Sequence, residues 1–138
     1  NFMTDIISKD ARSRLMSRIG PKDSKPEMRV RRVAHNLGYR FRLHRRDLPG
    51  TPDLVFPSRR CIIFVHGCFW HRHGECRDGA SMPKTRPEFW RQKLEGNVER
   101  DERNLVKLRE LGWQCLVIWE CETRDPEALA GRLGKFLG

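Results

Sequence analysis

A chain of 138 residues and 16.3 kDa fits a single domain that buries about two-thirds of its unfolded surface, and it leaves no room for a second catalytic domain. Lys and Arg total 28 against 18 Asp and Glu, a formal +10 with a pI near 10.0, so a polyanionic partner is expected. With 38 % hydrophobic residues and a mean hydropathy of −0.70 the chain is too rich in apolar segments for wholesale disorder, and none of its apolar runs approaches the roughly 20 residues of a membrane span. The charge is uneven: residues 1–60 hold 15 basic and 6 acidic side chains, and residues 61–138 hold 13 and 12. There is no signal-peptide pattern, so a reducing, cytoplasmic compartment is expected. In that compartment five Cys read as ligands or core residues, not as a disulfide framework.

Residues 10–19 form a short basic stretch that Gly20 and Pro21 terminate, and the division expected is a basic arm over 1–23, suited to a polyanionic partner, followed by one domain over 24–138. Ser24-Lys25-Pro26-Glu27 has the capping-box spacing, and Val30, Val33, Ala34 and Leu37 follow at helical intervals until Gly38. Tyr39, Phe41 and Leu43 alternate with Arg40 and Arg42, which predicts a half-buried strand before the Pro/Gly-rich loop 48–52. The apolar runs 53–56 and 61–65, split by Pro57-Ser58-Arg59-Arg60, predict a hairpin of central strands. Residues 87–111 have helical character with Gly96 and Asn97 as a candidate kink, and Trp90, Trp113 and Trp119 read as core residues. Residues 115–119 predict another buried strand, and Asp125-Pro126 opens a last helix through Phe136. The order α, β, β, β, α, β, α predicts an α/β fold with a mixed central sheet flanked by helices.

Cys68, His73 and Cys76 lie in one loop as C-x4-H-x2-C, and Cys121 follows the last predicted strand, where it can return to that loop. Three thiolates and one imidazole suit a closed tetrahedral Zn²⁺ shell, worth about 10–16 kcal/mol in small peptides, which is enough to order an otherwise unsupported loop. Cys61 and Cys115 sit inside apolar runs and read as small core residues. Asp53 opens one strand of the hairpin and Val65-His66 end its neighbour, so a carboxylate and a strand end meet at one sheet edge, where they can hold a hard cation for phosphodiester hydrolysis. An imidazole nearby, His66 or His71, can accept the proton of an attacking water. On residue type alone, Asp53 is most often a strand-entry or turn residue, Glu27 a capping residue, and each histidine a surface or hydrogen-bonding group.

Five stretches, Leu48-Pro49-Gly50-Thr51-Pro52-Asp53, Val65-His66-Gly67-Cys68-Phe69-Trp70-His71-Arg72-His73, Glu88-Phe89-Trp90, Asn97 to Asp101, and Leu111-Gly112-Trp113 through Trp119-Glu120-Cys121, resemble the very short patch repair (Vsr) DNA mismatch endonucleases. The resemblance runs in collinear order over residues 10–135. It implies a restriction-endonuclease-like fold and a Mg²⁺-dependent, strand-specific nick on the 5′ side of the T in T:G mispairs left by deamination of 5-methylcytosine. Residue by residue, it implies that Asp53 and the Val65 backbone carbonyl bind Mg²⁺, that His71 activates water, and that His66 and Glu27 contact the phosphate or order nearby waters. Cys68, His73, Cys76 and Cys121 correspond to a structural zinc shell, Phe69 and Trp70 to a wedge in the base stack, and Met16 to an N-terminal residue entering from the other groove. Two departures stand out: Val65 replaces a Thr of the family, and the spacing from His73 to Cys76 is one residue longer.

The expected partner is double-stranded DNA carrying a T:G mismatch, bound by a monomer in the bacterial cytoplasm at the nucleoid, with no membrane partner; mismatch-repair proteins are a further partner left open. Arg40, Arg42, Arg45 and Arg46, with Arg12, Arg14, Arg18 and Lys22 of the arm, are the expected phosphate contacts, and each phosphate neutralised adds about 0.9 to the log-log salt slope on duplex DNA. Asn97 and Asp101, four apart on one helix, read either as polar contacts near DNA or as a solvated face. Two other readings remain: a restriction-type or broader-specificity nicking enzyme on the same fold, and a zinc-stabilised DNA-binding module without catalysis.

Overall fold

The computed structural model describes residues 24–138, so the expected arm over 1–23, with Met16, lies outside the described residues. Helix α1 (Lys25–Asn36) starts at Ser24, whose hydroxyl accepts a hydrogen bond from the Glu27 N–H at 3.4 Å, and Gly38 just beyond it takes a φ of +89°. The predicted strand over 39–43 contracts to β1 (Arg42–Leu43). Tyr39 and Phe41 do turn inward, onto Phe56 at ring separations of 6.3 and 5.8 Å, but Leu43 is 41 % exposed. The strand is short because its partner β2 (Leu54–Phe56) has only three residues, and because the chain leaves the ladder at His44 with a φ of +48°.

A 3₁₀ turn over Pro57–Arg59 connects β2 to β3 (Cys61–His66), closing the predicted hairpin with Leu54 opposite Ile63 and Phe56 opposite Cys61. A short helix α2 (Arg77–Ala80) and the long α3 (Pro87–Glu110) lead to β4 (Gln114–Trp119), which runs parallel to β3 from Cys61 beside Gln114 to His66 beside Trp119. Helix α3 is continuous through Gly96 and Asn97, so the candidate kink does not form. After a 3₁₀ turn over Glu120–Thr123, Asp125 caps α4 (Pro126–Leu137) by accepting from the Glu127 and Ala128 N–H groups at 3.1 and 3.3 Å. The sheet order is β1-β2-β3-β4, antiparallel except for the last pair, which is the predicted mixed sheet.

Side-chain alternation divides the core between the two faces of this sheet. Leu54, Phe56, Cys61, Ile63 and Ile118 meet α1 and α4 through Val30, Ala34, Leu129, Leu133 and Leu137. Val55, Ile62 and Phe64 meet Leu108 of α3, Leu48 and Trp113 on the other face, with Cys115 packed against them. Fully burying each aliphatic side chain contributes roughly 1.5–3 kcal/mol, so both layers are needed to hold the strand ends in register. The loop before Asp53 is pinned to α3 at Gly50, where a φ of +79° and an Asn104 side chain 2.9 Å from any added Cβ leave room for glycine alone. Trp113 is buried as predicted, whereas Trp90 and Trp119 are only partly buried and belong to the ring clusters of the site.

Candidate active site

Val65, near the end of β3, is where two groups of polar side chains meet. Its N–H donates to Asp53 Oδ2 at 2.7 Å, and because N–H and C=O of one residue in an extended strand face the same neighbour, its carbonyl is turned toward the Asp53 side as well. Asp53 is 8 % exposed and Glu27, reaching in from α1, is 1 % exposed. Glu27 is therefore more than a capping residue: its Oε2 meets the Arg31 guanidinium and lies 2.7 Å from His44 Nε2, which is 3.9 Å from Asp53 Oδ1. Burial, with Glu27 adding to it and the Val65 N–H opposing it, pushes the Asp53 carboxyl up to about 8. Two carboxylates buried together stay ionised near neutral pH only beside positive charge, so this pocket fits a divalent cation.

The second group follows from the strand alternation at His66, which continues the Phe64 side of β3 with ring centroids 5.6 Å apart. The His66 ring stacks on His71 at 3.8 Å and 8°, and the Asp101 carboxylate of α3 accepts from His71 Nδ1–H at 2.5 Å. That bond leaves Nε2 of His71 as the basic nitrogen. His66 is 6 % exposed, and burial, assisted by the neighbouring His71, pulls its imidazole down to about 4, so it is neutral at pH 7. Asp101 and Asn97 do not form a solvated face: Asn97 Nδ2 donates to the Trp70 carbonyl at 3.1 Å, so both tie the loop after β3 to α3.

That loop carries the predicted quartet. One donor atom from each of Cys68, His73, Cys76 and Cys121 lies within 4.8 Å of the others. His73 Nδ1 stands 3.8 Å from Cys68 Sγ and 3.5 Å from Cys121 Sγ, near the roughly 3.6 Å edge of a tetrahedral zinc shell with Zn–S of 2.3 Å and Zn–N of about 2.05 Å. The longer spacing from His73 to Cys76 still closes the group. The five cysteines are free thiols; burial and the adjacent Cys76 and Cys121 push Cys68 up to about 12, a crowding that a bound dication relieves. His73 also stacks on Trp119 at 4.4 Å and 13°. The donor set therefore fits zinc.

Beyond the quartet, Phe69, Trp70 and Trp90 form a mutual ring cluster with centroids 5.2–5.9 Å apart, and Phe89 joins at 5.5 Å from Trp90. Trp70 is 47 % exposed and Phe89 46 %, so an unusually aromatic surface stands beside the loop. Of the expected phosphate contacts, Arg40, Arg42 and Arg46 are exposed, and the half-buried Arg45 pairs with Asp47 at 2.6 Å. Sequence reasoning missed His44 altogether and did not join Asp101 to His71; a lone His in a loop after a two-residue strand carries no periodic signal.

A mixed sheet flanked by helices, with carboxylates, imidazoles and a cysteine-rich loop gathered where β3 ends, defines an α/β protein whose candidate site carries the groups of a metal-assisted hydrolase on a basic chain. Residues 4–77 match the family described as DNA mismatch endonuclease Vsr. The type II nicking enzyme V.XorIIP of Xanthomonas oryzae pv. oryzae is 52 % identical over 135 residues, 98 % of each chain. The DNA mismatch endonuclease Vsr of Escherichia coli K12 is 44 % identical over 127 residues, 92 % of this chain and 80 % of that one. The type II nicking enzyme V.NmeAIP of Neisseria meningitidis is 36 % identical over 135 residues, 98 % and 95 %. The chain belongs to the Vsr DNA mismatch endonuclease family. No helix among the described residues is long and apolar enough to cross a membrane.

Proposed function

We propose that this chain nicks duplex DNA on the 5′ side of the T in T:G mispairs arising from 5-methylcytosine deamination, acting as a monomer with Mg²⁺ at Asp53 and a structural zinc at Cys68, His73, Cys76 and Cys121. The observation that carries the reading is the meeting at Val65 of a buried carboxylate pair with an imidazole already oriented by Asp101. Asp53 and the Val65 carbonyl would hold Mg²⁺, which would supply charge neutralisation at the scissile phosphate and greater acidity of an attacking water. The chain's own side chains do the rest. His71 takes the proton of that water at Nε2, while Asp101 holds Nδ1–H and stabilises the imidazolium that forms. Neutral His66 beneath it fixes the ring plane without placing a second positive charge beside it. Glu27, with Arg31 and His44 at its carboxylate, supports the Asp53 pocket.

Specificity on this reading comes from Phe69 and Trp70, which enter the base stack with Met16 of the arm on the opposite side. Unstacking costs a few kcal/mol per step and is smaller at a wobble pair, so the wedge favours T:G over matched DNA. The basic arm over 1–23 and the exposed Arg40 and Arg42 supply sequence-blind phosphate contacts. Two relatives are type II nicking enzymes, which favours a second reading in which the nick is less restricted to T:G. A nicking assay on T:G, other mismatches and matched duplex, with Mg²⁺ or EDTA, separates the two. Cleavage confined to T:G in Mg²⁺ supports the first, equal cleavage of other mismatches supports the second, and cleavage of no duplex overturns both. Asp53→Ala is expected to abolish nicking while duplex binding persists.

A further inference from the structure

Apart from Arg31, which pairs with Glu27, His44 is the group of the Asp53 pocket that neither Asp53 with the Val65 carbonyl nor His71 with Asp101 uses. Its Nε2 is buried and makes no hydrogen bond, although Glu27 Oε2 stands only 2.7 Å away. A ring nitrogen so close to a carboxylate oxygen, yet off the hydrogen-bonding line, has its lone pair aimed past that oxygen. Ligands of a common ion are arranged in this way, each pointing at the ion and not at each other. The separations agree: an octahedral cation with ligands at 2.1 Å spaces neighbouring donors about 3.0 Å and opposite donors about 4.2 Å apart. His44 Nε2 lies 2.7 Å from Glu27 Oε2 and 3.9 Å from Asp53 Oδ1, and one donor atom from each of the three residues lies within 4.8 Å of the others.

The imidazole is held there by its backbone. The His44 N–H donates to the Asp53 carbonyl at 3.2 Å, and the residue sits at a φ of +48°, a conformation that costs a non-glycine residue about 1 kcal/mol or more. The pocket is thus built to bring a nitrogen donor, from a residue 17 positions after one carboxylate and 9 before the other, onto the same point.

We propose that His44 is a direct nitrogen ligand of the cation held at Asp53, beside the supporting Glu27 carboxylate, so that this site binds Mn²⁺ and Co²⁺ more tightly than Mg²⁺. This rests on the reading of Asp53 as a cation ligand and deepens it. An all-oxygen site suits Mg²⁺, which is small, hard and reluctant to shed water, whereas imidazole shifts affinity along the series Mn²⁺ < Co²⁺ toward softer ions. Nicking assays alone would not reveal this, because a tighter ion need not be a faster one.

The test uses the full, zinc-loaded chain without DNA and Mn²⁺ as the probe. Electron paramagnetic resonance of free Mn²⁺ during titration gives its affinity, competition gives that of Mg²⁺, and pulsed measurements on bound Mn²⁺ detect ¹⁴N coupling. The expected result is Mn²⁺ about tenfold or more tighter than Mg²⁺, with an imidazole ¹⁴N signal. His44→Gln and His44→Asn, which put an amide in the ring's place, should remove the signal and lower the Mn²⁺ preference by about tenfold while Mn²⁺ still binds. Bound Mn²⁺ without ¹⁴N coupling, or coupling that survives in both His44 variants and therefore comes from His66 or His71, overturns the proposal alone. Mn²⁺ that fails to bind, or that binds Asp53→Asn as well as the unaltered chain, overturns it together with the cation site at Asp53.

Discussion

His66 offers the most direct check on the electrostatics of the site. In the unfolded chain its imidazole gains a proton at the ordinary 6.5, whereas in the folded protein burial against Phe64, His71 and Trp119 lowers that point to about 4. Between these two values the unfolded state binds the proton and the folded state does not, so acid favours unfolding; above 6.5 neither state is protonated and the effect vanishes. A drop from 6.5 to about 4 is worth about 3 kcal/mol, which is lost progressively as pH falls from 6.5 to 4. Guanidinium unfolding of the unaltered chain and of His66→Gln, measured at intervals from pH 7.5 to 4, isolates this contribution, because acid effects on the zinc ligands and on His71 are common to both. The stability of the unaltered chain relative to the variant should fall by about 3 kcal/mol across that range. A difference that stays flat within about 0.5 kcal/mol, or one that grows toward acid, would refute the assignment of a buried neutral imidazole beneath His71.

Other expectations follow from the neighbouring contacts. Asp101→Asn leaves His71 without its anionic orienting partner, and nicking of T:G duplex should slow by about 10²–10⁴-fold with DNA affinity unchanged; an unaltered rate would remove Asp101 from the proton-transfer pair. Metal analysis should find one zinc per chain, and Cys121→Ser should lower both zinc content and the melting temperature; a chain that folds fully without zinc would overturn the quartet. Trp70→Ala removes an exposed ring expected to contribute about 1–3 kcal/mol of stacking, so the ratio of nicking on T:G to matched DNA should fall about 5- to 150-fold, and an unchanged ratio would exclude Trp70 from the wedge.

Local chemistry made much of the molecule legible in one dimension. Asp125-Pro126 and Ser24 specify helix starts because caps act within three or four residues, and the apolar runs at 54–56 and 61–66 have no stable place except the centre of a sheet, while the strand predicted as buried over 115–119 forms as β4, half-buried at the sheet edge beside β3. The quartet was legible for a related reason, since soft-metal ligands are rare residue types and three of the four share one loop. The aromatic residues were only partly so: the pattern that marks Trp113 as core also marked Trp90 and Trp119, which the fold turns toward loop rings instead. Periodicity reports which side of an element is apolar, but not whether another layer covers it.

What tertiary structure alone decided is the pairing of groups far apart in the chain. Glu27 could satisfy a helix start by itself, and only the approach of β1 and β2 to α1 turns its carboxylate toward His44 and Asp53. Likewise His71 and Asp101 are 30 residues apart, joined because Asn97 and Asp101, one turn apart on α3, face the loop that β3 delivers. The residue types needed for hydrolysis of a polyanion, and the net charge to attract one, are properties of composition. Their convergence at Val65 is a property of sheet register, since one residue's slip along β3 would turn the N–H that Asp53 accepts from away from it and carry the His66 ring to the other face of the sheet.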